Sequence, residues 1–401
     1  MKRFILIILA IGIFQQSYCQ KKSFDYLKAR SHMEMENYDS ALYYFNRLIN
    51  KVPKNFTAIY ERGMVHYYLN MFPSADKDFR LVNQRYKERA SLMLAKTELR
   101  LNHPEIAIKY LREHLESSYR IPEKDLLLDP ELSSLEGTSL WNELWREKEW
   151  YLPVEVEIQE ARYMMNSGNH LEALNILQKL EKQGLKRSQI YQCKAEIYLL
   201  TGNVKAAESE LTKSVKANYR NLEAVKMRAS LYYESGDYED ALADCENILR
   251  QDPASFDLLI LSAKTKSKLE DHEGALKNIT LYRAMFPNDD KGFYEEGNIY
   301  FAQGKYLKAI PCFNHALDLN KGEATYYYAR GLSYAASNTH KYAVKDFSMS
   351  LDLDPLSAEA WYAKGLTEIE LGDMEAACFA FRRATQYGIV KARAQVEKLC
   401  K

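Results

Sequence analysis

The chain has no surplus of either charge: Lys+Arg and Asp+Glu are balanced at 55 each over 401 residues. Without a basic stripe there is no electrostatic footprint for nucleic acid. Beyond residue 20 no apolar run is long enough to cross a bilayer, so no membrane span is expected. A glycine-rich phosphate loop, Gly-x-Ser-x-Gly and His-Glu-x-x-His are all missing. Those absences point away from an enzyme and imply neither a cofactor nor a catalytic residue. Cysteine is sparse. Cys193, Cys245, Cys312, Cys378 and Cys400 follow Cys19, too few and too far apart for a disulfide framework. Only Cys378 and Cys400 are spaced to meet, across a last hairpin and its tail, either as a bridge or as two buried thiols. With 47% apolar and 27% charged residues, the sequence is neither disordered nor membrane-embedded.

What is present is a period. An alanine or glycine is followed twelve residues later by an alanine ten times: Ala29/Ala41, Gly63/Ala75, Ala95/Ala107, Ala161/Ala173, Ala195/Ala207, Ala229/Ala241, Ala263/Ala275, Gly297/Ala309, Gly331/Ala343 and Gly365/Ala377. From Ala173 to Ala377 the spacing stays at 34 residues. A fixed period of this size marks stacked helix pairs. In residues 188–221, apolar residues at helical spacing run to Tyr198. Thr201-Gly202-Asn203 breaks the pattern, and Ala207 and Leu211 resume it. The small pair is the place where two helices cross about 8–10 Å apart. A bulky apolar residue follows the second alanine by four, on the same helix face: Phe45, Phe79, Leu111, Leu177, Leu211, Cys245, Ile279, Phe313, Phe347 and Phe381. Cys245 is therefore a core residue. Turn signals separate the helices at Gly168, Gly202, Gly236, Gly304 and Gly372, and Pro53, Pro253, Pro287 and Pro355 end four units.

The pattern resembles the tetratricopeptide (TPR) repeat family. Residues 360–365 (AWYAKG) through 371–377 (LGDMEAA) lie very near its consensus, as do residues 231–242 (LYYESGDYEDAL). The resemblance runs from Lys22 to Tyr387. It implies an all-α fold: a right-handed TPR superhelical solenoid of about ten helix-turn-helix repeats. Three repeats are expected in residues 20–120 and seven in residues 154–387. Between them, residues 121–153 lack the small pair and read as an irregular helical hairpin. Asp129-Pro130 is expected to start one helix, Gly137 to stop it, and Thr138 or Ser139 to start the next. After Gly388, the stripe Ile389, Ala392, Val396 and Leu399 reads as a helix over 388–401 that caps the last open face.

Residues 1–19 have the layout of a secretory signal peptide. Lys2-Arg3 precede an apolar run from Phe4 to Phe14 and a polar exit ending at Cys19. Cleavage would leave Gln20 first and send the chain to the periplasm or outside the cell. Tyr18 and Gln16 suit a lipobox poorly, which disfavours lipid anchoring at Cys19. Asn55-Phe56-Thr57 and Asn278-Ile279-Thr280 have the glycosylation spacing that matters in a eukaryotic source.

The resemblance also places candidate site residues. The fifth residue of each first helix lines the family's groove, and here it is Tyr26, Tyr60, Tyr294, Tyr328 and Tyr362. Asn298 follows Tyr294 by one turn. This ladder suits recognition of a protein or peptide, although tyrosine is also the family's commonest packing residue in that slot. Trp141 and Trp145 share a helix face, as an interface plug or a second binding surface. His32 and His66 occupy equivalent slots, where packing is favoured over a metal pair. Chaperone-binding members hold a C-terminal carboxylate with a set of cations and asparagines; Lys226 occupies a suitable slot, but Ser230 and Leu261 stand where asparagine or a cation is wanted. The expected function is an exported, non-enzymatic scaffold that holds a protein or peptide partner in envelope assembly or quality control. The alternative is a glycan- or nutrient-binding surface protein.

Overall fold

The computed structural model describes residues 23–185 and 187–400. The expected signal segment, with Cys19 and Gln20, lies outside them. Every regular element among the described residues is helical, and none is a strand. They divide into two units, residues 23–234 with 247–255 and residues 235–246 with 256–400. The irregular stretch at 121–153 therefore lies within the first unit.

The first unit opens with three helix pairs: Phe24–Glu34 with Tyr38–Lys51, Phe56–Tyr68 with Phe72–Arg85, and Ser91–Arg100 with Pro104–Glu116. After the irregular stretch come Pro153–Asn166 with His170–Lys182 and Ser188–Leu200 with Val204–Ala217. In the second unit the pairs are Phe256–Lys268 with His272–Met285, Asp290–Ala302 with Tyr306–Leu319, Ala324–Ala336 with His340–Leu353, and Ala358–Leu371 with Met374–Gln386. Helix Val390–Leu399 follows as the expected cap. Its Ala392 is fully buried against Ala377, Phe381 and Ala384, with Ile389, Val396 and Leu399 around it. A disulfide joins Cys378 to Cys400, Cα atoms 5.5 Å apart, and ties the end of that helix to the last pair. Cys193, Cys245 and Cys312 are buried free thiols, pushed up to about 12 by burial.

Each turn inside these nine pairs, and the turn between helices Leu222–Ser235 and Tyr238–Gln251, uses one left-handed residue at the same register, with φ between 54° and 89°. Five are glycines: Gly168, Gly202, Gly236, Gly304 and Gly372. The other five are Asn70, Asn102 and Asn338, a residue type that tolerates this region, and Glu36 and Glu270, which carry no turn signature. Left-handed backbone is costly for a side chain with a Cβ, and a turn followed at once by a helix N-cap enforces it. Asn37, Asn203, Asp271 and Asp373, each one residue on, accept a backbone N–H three residues ahead.

Every alanine of the ten small pairs is fully buried, and so is the apolar residue four beyond each second alanine. Ala161 and Ala173 share one core cluster, Ala195 and Ala207 another, Ala263 and Ala275 a third. The four glycines explain the alternation in size. A Cβ on Gly63, Gly297, Gly331 or Gly365 would meet the Cε1 of Phe79, Phe313, Phe347 or Phe381 at 2.7, 2.6, 2.7 and 2.7 Å. Where the first position is alanine, its counterpart is Leu111, Leu177, Leu211, Cys245 or Ile279. One methyl on the first helix is exchanged for a smaller side chain on the second. Ala29 with Phe45, in the first pair, is the exception.

Both sequons are engaged in the fold. Asn55 is 4% exposed and caps helix Phe56–Tyr68 by accepting from the Ala58 N–H at 3.1 Å. Asn278 donates to the Ser262 hydroxyl at 3.1 Å. His32 stacks on Tyr44, whereas the His66 ring faces the Asp78 carboxylate at 3.1 Å.

The irregular stretch contains helix Glu123–Leu127, a single 3-10 turn at Ser133–Leu135 and helix Ser139–Glu147. The expected helix start at Asp129-Pro130 is corrected here. Asp129 closes a tight turn by accepting from the Glu131 N–H at 3.0 Å, and its other oxygen pairs with Lys96 at 2.6 Å. That ion pair holds the backbone in the turn and stops it winding into a helix. Gly137 does stop the segment at φ 74°, and Thr138 caps the next helix by accepting from the Trp141 N–H. Leu126, Leu132, Leu135 and Leu144 are almost wholly buried. His114 sits where the third pair runs into this stretch. It is 2% exposed, and its Nε2 accepts the Ile121 N–H at 3.1 Å.

Two predictions follow from this packing. Gly331→Ala costs about 1–3 kcal/mol by overpacking against Phe347. Adding Phe347→Leu recreates the Ala195/Leu211 combination, so the double variant loses less than the two single losses summed; urea unfolding of all four proteins measures the coupling. Burial holds the His114 imidazole down at about 4, below its ordinary 6.5. Its folded form therefore resists protonation, and its contribution is intact above pH 6.5 and lost as pH falls toward 4. His114→Gln should flatten that part of the stability–pH curve by up to about 3 kcal/mol. An unchanged slope in urea midpoints between pH 7 and 4.5 counts against the assignment.

Candidate partner-binding face

Helices Asp290–Ala302, Ala324–Ala336 and Ala358–Leu371 are successive first helices of the second unit, each with tyrosine at the same register. Tyr294, Tyr328 and Tyr362 are all half-buried. Their rings lie 5.9, 5.9 and 5.8 Å from Phe313, Phe347 and Phe381, tilted by 52°, 50° and 53°. The repetition is geometric as well as compositional. One face of each ring is spent on the phenylalanine beneath it; Tyr294 is covered further by the Tyr326 ring, centroids 4.7 Å apart, whereas Tyr328 and Tyr362 keep an exposed remainder that is available to a partner.

The coupling extends through the chain. The five units with tyrosine in this slot are the five with phenylalanine nineteen residues later. Units without that phenylalanine carry Leu92, Ile158, Gln192, Lys226 or Ile260 instead. Tyrosine is thus first a packing residue, laid over a large aromatic ring that fills the gap left by the small pair.

One helical turn on, the second slot holds Asn298, Leu332 and Leu366. Leu366 is 39% exposed. Asn298 donates from Nδ2 to Glu295 at 3.2 Å and also bonds the Tyr294 hydroxyl. Burial pushes the Glu295 carboxyl up, opposed by Lys264, 4.0 Å away, and by Asn298. Asn298 is therefore already partnered. Burial likewise raises the Tyr294 and Tyr328 hydroxyls, with Glu295 adding at Tyr294 and Glu359 at Tyr328.

The remaining candidates belong to the first unit. Tyr26 is corrected as a groove residue: it is 1% exposed, with its ring against Phe45 at 6.3 Å. Arg30 covers it, reaching the Tyr26 hydroxyl at 3.4 Å and Glu61 at 3.3 Å. Tyr60 is half-buried on Phe79 at 5.6 Å, with the Arg89 guanidinium over its other face. Trp141 is 7% exposed and packs edge-on to Trp145 at 5.6 Å. Trp150 is buried too, and its indole N–H donates to the Leu144 carbonyl at 3.0 Å. Trp141 and Trp150 are plugs of the irregular stretch. Trp145 keeps partial exposure, with a buried indole N–H that has no partner among the described residues.

One recess escaped the sequence reading. Met64, Tyr68, Met93, Lys96, Arg100 and Glu131 are among the residues around a cavity of about 380 Å³ in the first unit. Lys96 pairs there with Asp129 and Glu131, and Tyr67 donates to Glu131. The signal was the acidic Asp129-Pro130-Glu131 turn, legible only once its docking against Lys96 is seen.

Known proteins share this architecture. Family profiles described as TPR repeat or tetratricopeptide repeat match residues 25–55, 194–256, 297–338 and 358–387. The TPR repeat-containing protein YpiA of Bacillus subtilis is 28% identical over 156 residues, which is 39% of this chain. The match spans 36% of that relative's length. A crystal structure of a tetratricopeptide repeat protein from Parabacteroides merdae superposes with a TM-score of 0.55 at 17% identity. It covers 62% of this chain and 99% of that one, a likeness of fold.

The tyrosine contacts set an expectation for stability. Tyr328→Ala removes a half-buried ring from Phe347 and should cost about 2 kcal/mol, whereas Tyr328→Phe keeps the contact and should stay within about 0.5 kcal/mol of the parent. Thermal unfolding compares them; equal losses would mean that the hydroxyl matters more than the ring. Repeated small pairs, one left-handed turn residue per pair and matching profiles at both ends of the sequence lead to one conclusion: the chain is a tetratricopeptide repeat protein.

Proposed function

We propose that this protein is an exported, non-enzymatic scaffold that binds a protein or peptide segment on the face built from Tyr294, Tyr328 and Tyr362 with Asn298, Leu332 and Leu366. The observation that carries the reading is three tyrosines at one register, each packed on a phenylalanine and each partly exposed, with Tyr294 the most covered because Tyr326 also lies against it. Rigid aromatic area presented at low entropic cost suits a peptide laid across successive helices. The fold, which typically mediates protein–protein interaction, supports the same class of partner.

Export rests on the signal-like residues 1–19 and gains support from the Cys378–Cys400 bridge. Disulfides persist in oxidising compartments and are rare in the cytosol. Envelope assembly or quality control is the setting that joins an exported address to a peptide-binding face. Fractionation followed by N-terminal sequencing checks the address, with Gln20 as the expected first residue.

Leu366→Glu tests the face itself. It places a charge on the exposed surface and leaves the tyrosine–phenylalanine contacts in place. Crosslinking in envelope extract should recover a partner with the parent protein and at least about tenfold less with Leu366→Glu, at equal thermal stability. Equal recovery removes this face from the proposal. Parallel exposure to a glycan array separates the alternative: glycan capture abolished by the same substitution would replace a protein partner with a sugar.

A further inference from the structure

A recess of about 700 Å³ in the first unit lies between helices Pro153–Asn166 and Ser188–Leu200, the C-terminal end of helix Val204–Ala217 and the turn that follows it. Arg162, Arg187, Gln189, Gln192, Asn218 and Asn221 are among the residues lining it. Among the described residues that line it, none is acidic or aromatic, and the two arginines are the charged groups.

Both guanidiniums face carboxylates that better donors already hold. The Arg187 Nη1 stands 3.7 Å from Glu155, beyond hydrogen-bond reach. Glu155 meanwhile accepts from Arg120 at 3.0 and 3.1 Å and from the Leu152 N–H at 2.8 Å. The Arg162 Nη2 stands 3.8 Å from Glu196, whose same oxygen accepts from the Gln192 amide at 2.8 Å. Neither arginine makes a hydrogen bond among the described residues, so their forked donors remain available. The floor beneath them is fixed. Gln192 is 7% exposed and accepts from Asn221 at 2.8 Å, and Asn221 also donates to the Ser188 hydroxyl at 2.9 Å.

We propose that this recess is a second binding site, which takes an acidic, extended peptide segment through its Asp or Glu side chains. Arg162 and Arg187 each receive a carboxylate in the forked geometry that guanidinium and carboxylate share. The exposed amides of Gln189 and Asn218 serve the peptide backbone. A sugar acid is disfavoured because no aromatic ring is present to stack on it, and a nucleic-acid strand for the same reason. Balanced charge over the whole chain makes the attraction local to the recess. The site goes beyond the tyrosine face, lies in the other unit and does not depend on it.

The test uses the full chain and a fluorescein-labelled hepta-glutamate peptide with both ends blocked, read by anisotropy. The parent protein should bind it and lose affinity with added salt, while the blocked hepta-glutamine peptide should not bind. Arg162→Gln with Arg187→Gln should weaken binding at least about tenfold; Arg393→Gln, exposed and outside the recess, should leave it unchanged. If the glutamine pair impairs folding by circular dichroism, Arg162→Lys with Arg187→Lys takes its place. Retaining charge but not the fork, it should lose at least about threefold. No binding at about 1 mM protein, equal binding of the two blocked peptides, or parental affinity in the folded arginine variant overturns the proposal. So does tight binding of an unblocked hepta-glutamine peptide, which would show that the recess reads a chain terminus.

Discussion

The close approach of two helices at a pair of missing side chains governs the rest of the molecule. Dispersion contacts are individually weak and collapse steeply with a gap of even half an ångström. The chain therefore matches the volume of one helix to the void on the other, unit by unit. Glycine against phenylalanine and alanine against leucine or isoleucine are two solutions to one volume constraint. The choice then propagates outward. A phenylalanine at this depth presents a broad ring edge, and a tyrosine on the first helix lies against it at nearly the same distance and tilt in three successive pairs. The size of one buried residue thereby determines what the outer surface of the first helix displays.

A second, polar contact fastens pair to pair. Arg62 forks onto Asp78 in its own hairpin at 2.8 and 2.6 Å and reaches back to Asn46 of the preceding one at 2.9 Å. Arg330, Asp346 and Asn314 repeat the arrangement at 2.7, 2.8 and 2.8 Å. Lys194 does the same work with Glu210 and, across the boundary between pairs, Glu181. Asp78, Asp346 and Glu210 are almost buried, and removing the cation from such a pair strands an uncompensated charge. Their role is register: apolar stripes slide with little penalty, whereas a forked ion pair tolerates one alignment. The apolar contact supplies most of the attraction, and the ion pair specifies which neighbour is met and how.

The fold was legible because its signal is redundant. Losing any one of ten small pairs would have left the period intact, and the cap was written in the stripe Ile389, Ala392, Val396 and Leu399. What escaped was local and set by tertiary contact. Glu36 and Glu270 occupy left-handed turns because the helices on either side require it, against their own preference. Asp129-Pro130 has the look of a helix start, yet Lys96, more than thirty residues earlier in sequence, captures the aspartate and keeps the turn open. The candidate site was half legible. The tyrosine slot follows from the repeat, but the depth of each ring does not. Tyr26 disappears beneath Arg30, a residue fixed by Glu61 in the next pair, while Tyr328 and Tyr362 remain half open. Pattern gives position along a helix; exposure depends on what the adjoining helix sends across.

That distinction bears on where specificity resides. The tyrosine slot is tied to the phenylalanine beneath it and has little freedom to adapt to a partner. The next slot, one turn further along each first helix, has no such obligation and varies widely. It holds Arg30, Met64, Lys96, Arg162, Glu196, Ser230 and Lys264 in earlier pairs, then Asn298, Leu332 and Leu366. Arg30 and Lys96 are held by acidic partners from neighbouring elements at 3.3 and 2.6 Å. Arg162 faces a carboxylate already taken by an amide. A surface of this kind separates two tasks. In the proposed binding mode the rigid aromatic row offers area to almost any extended segment, and the adjoining row, mixed in the first unit and apolar at the end of the second, distinguishes one segment from another. On that proposal, selection among partners rests on Arg162 and on exposed leucine in the variable row.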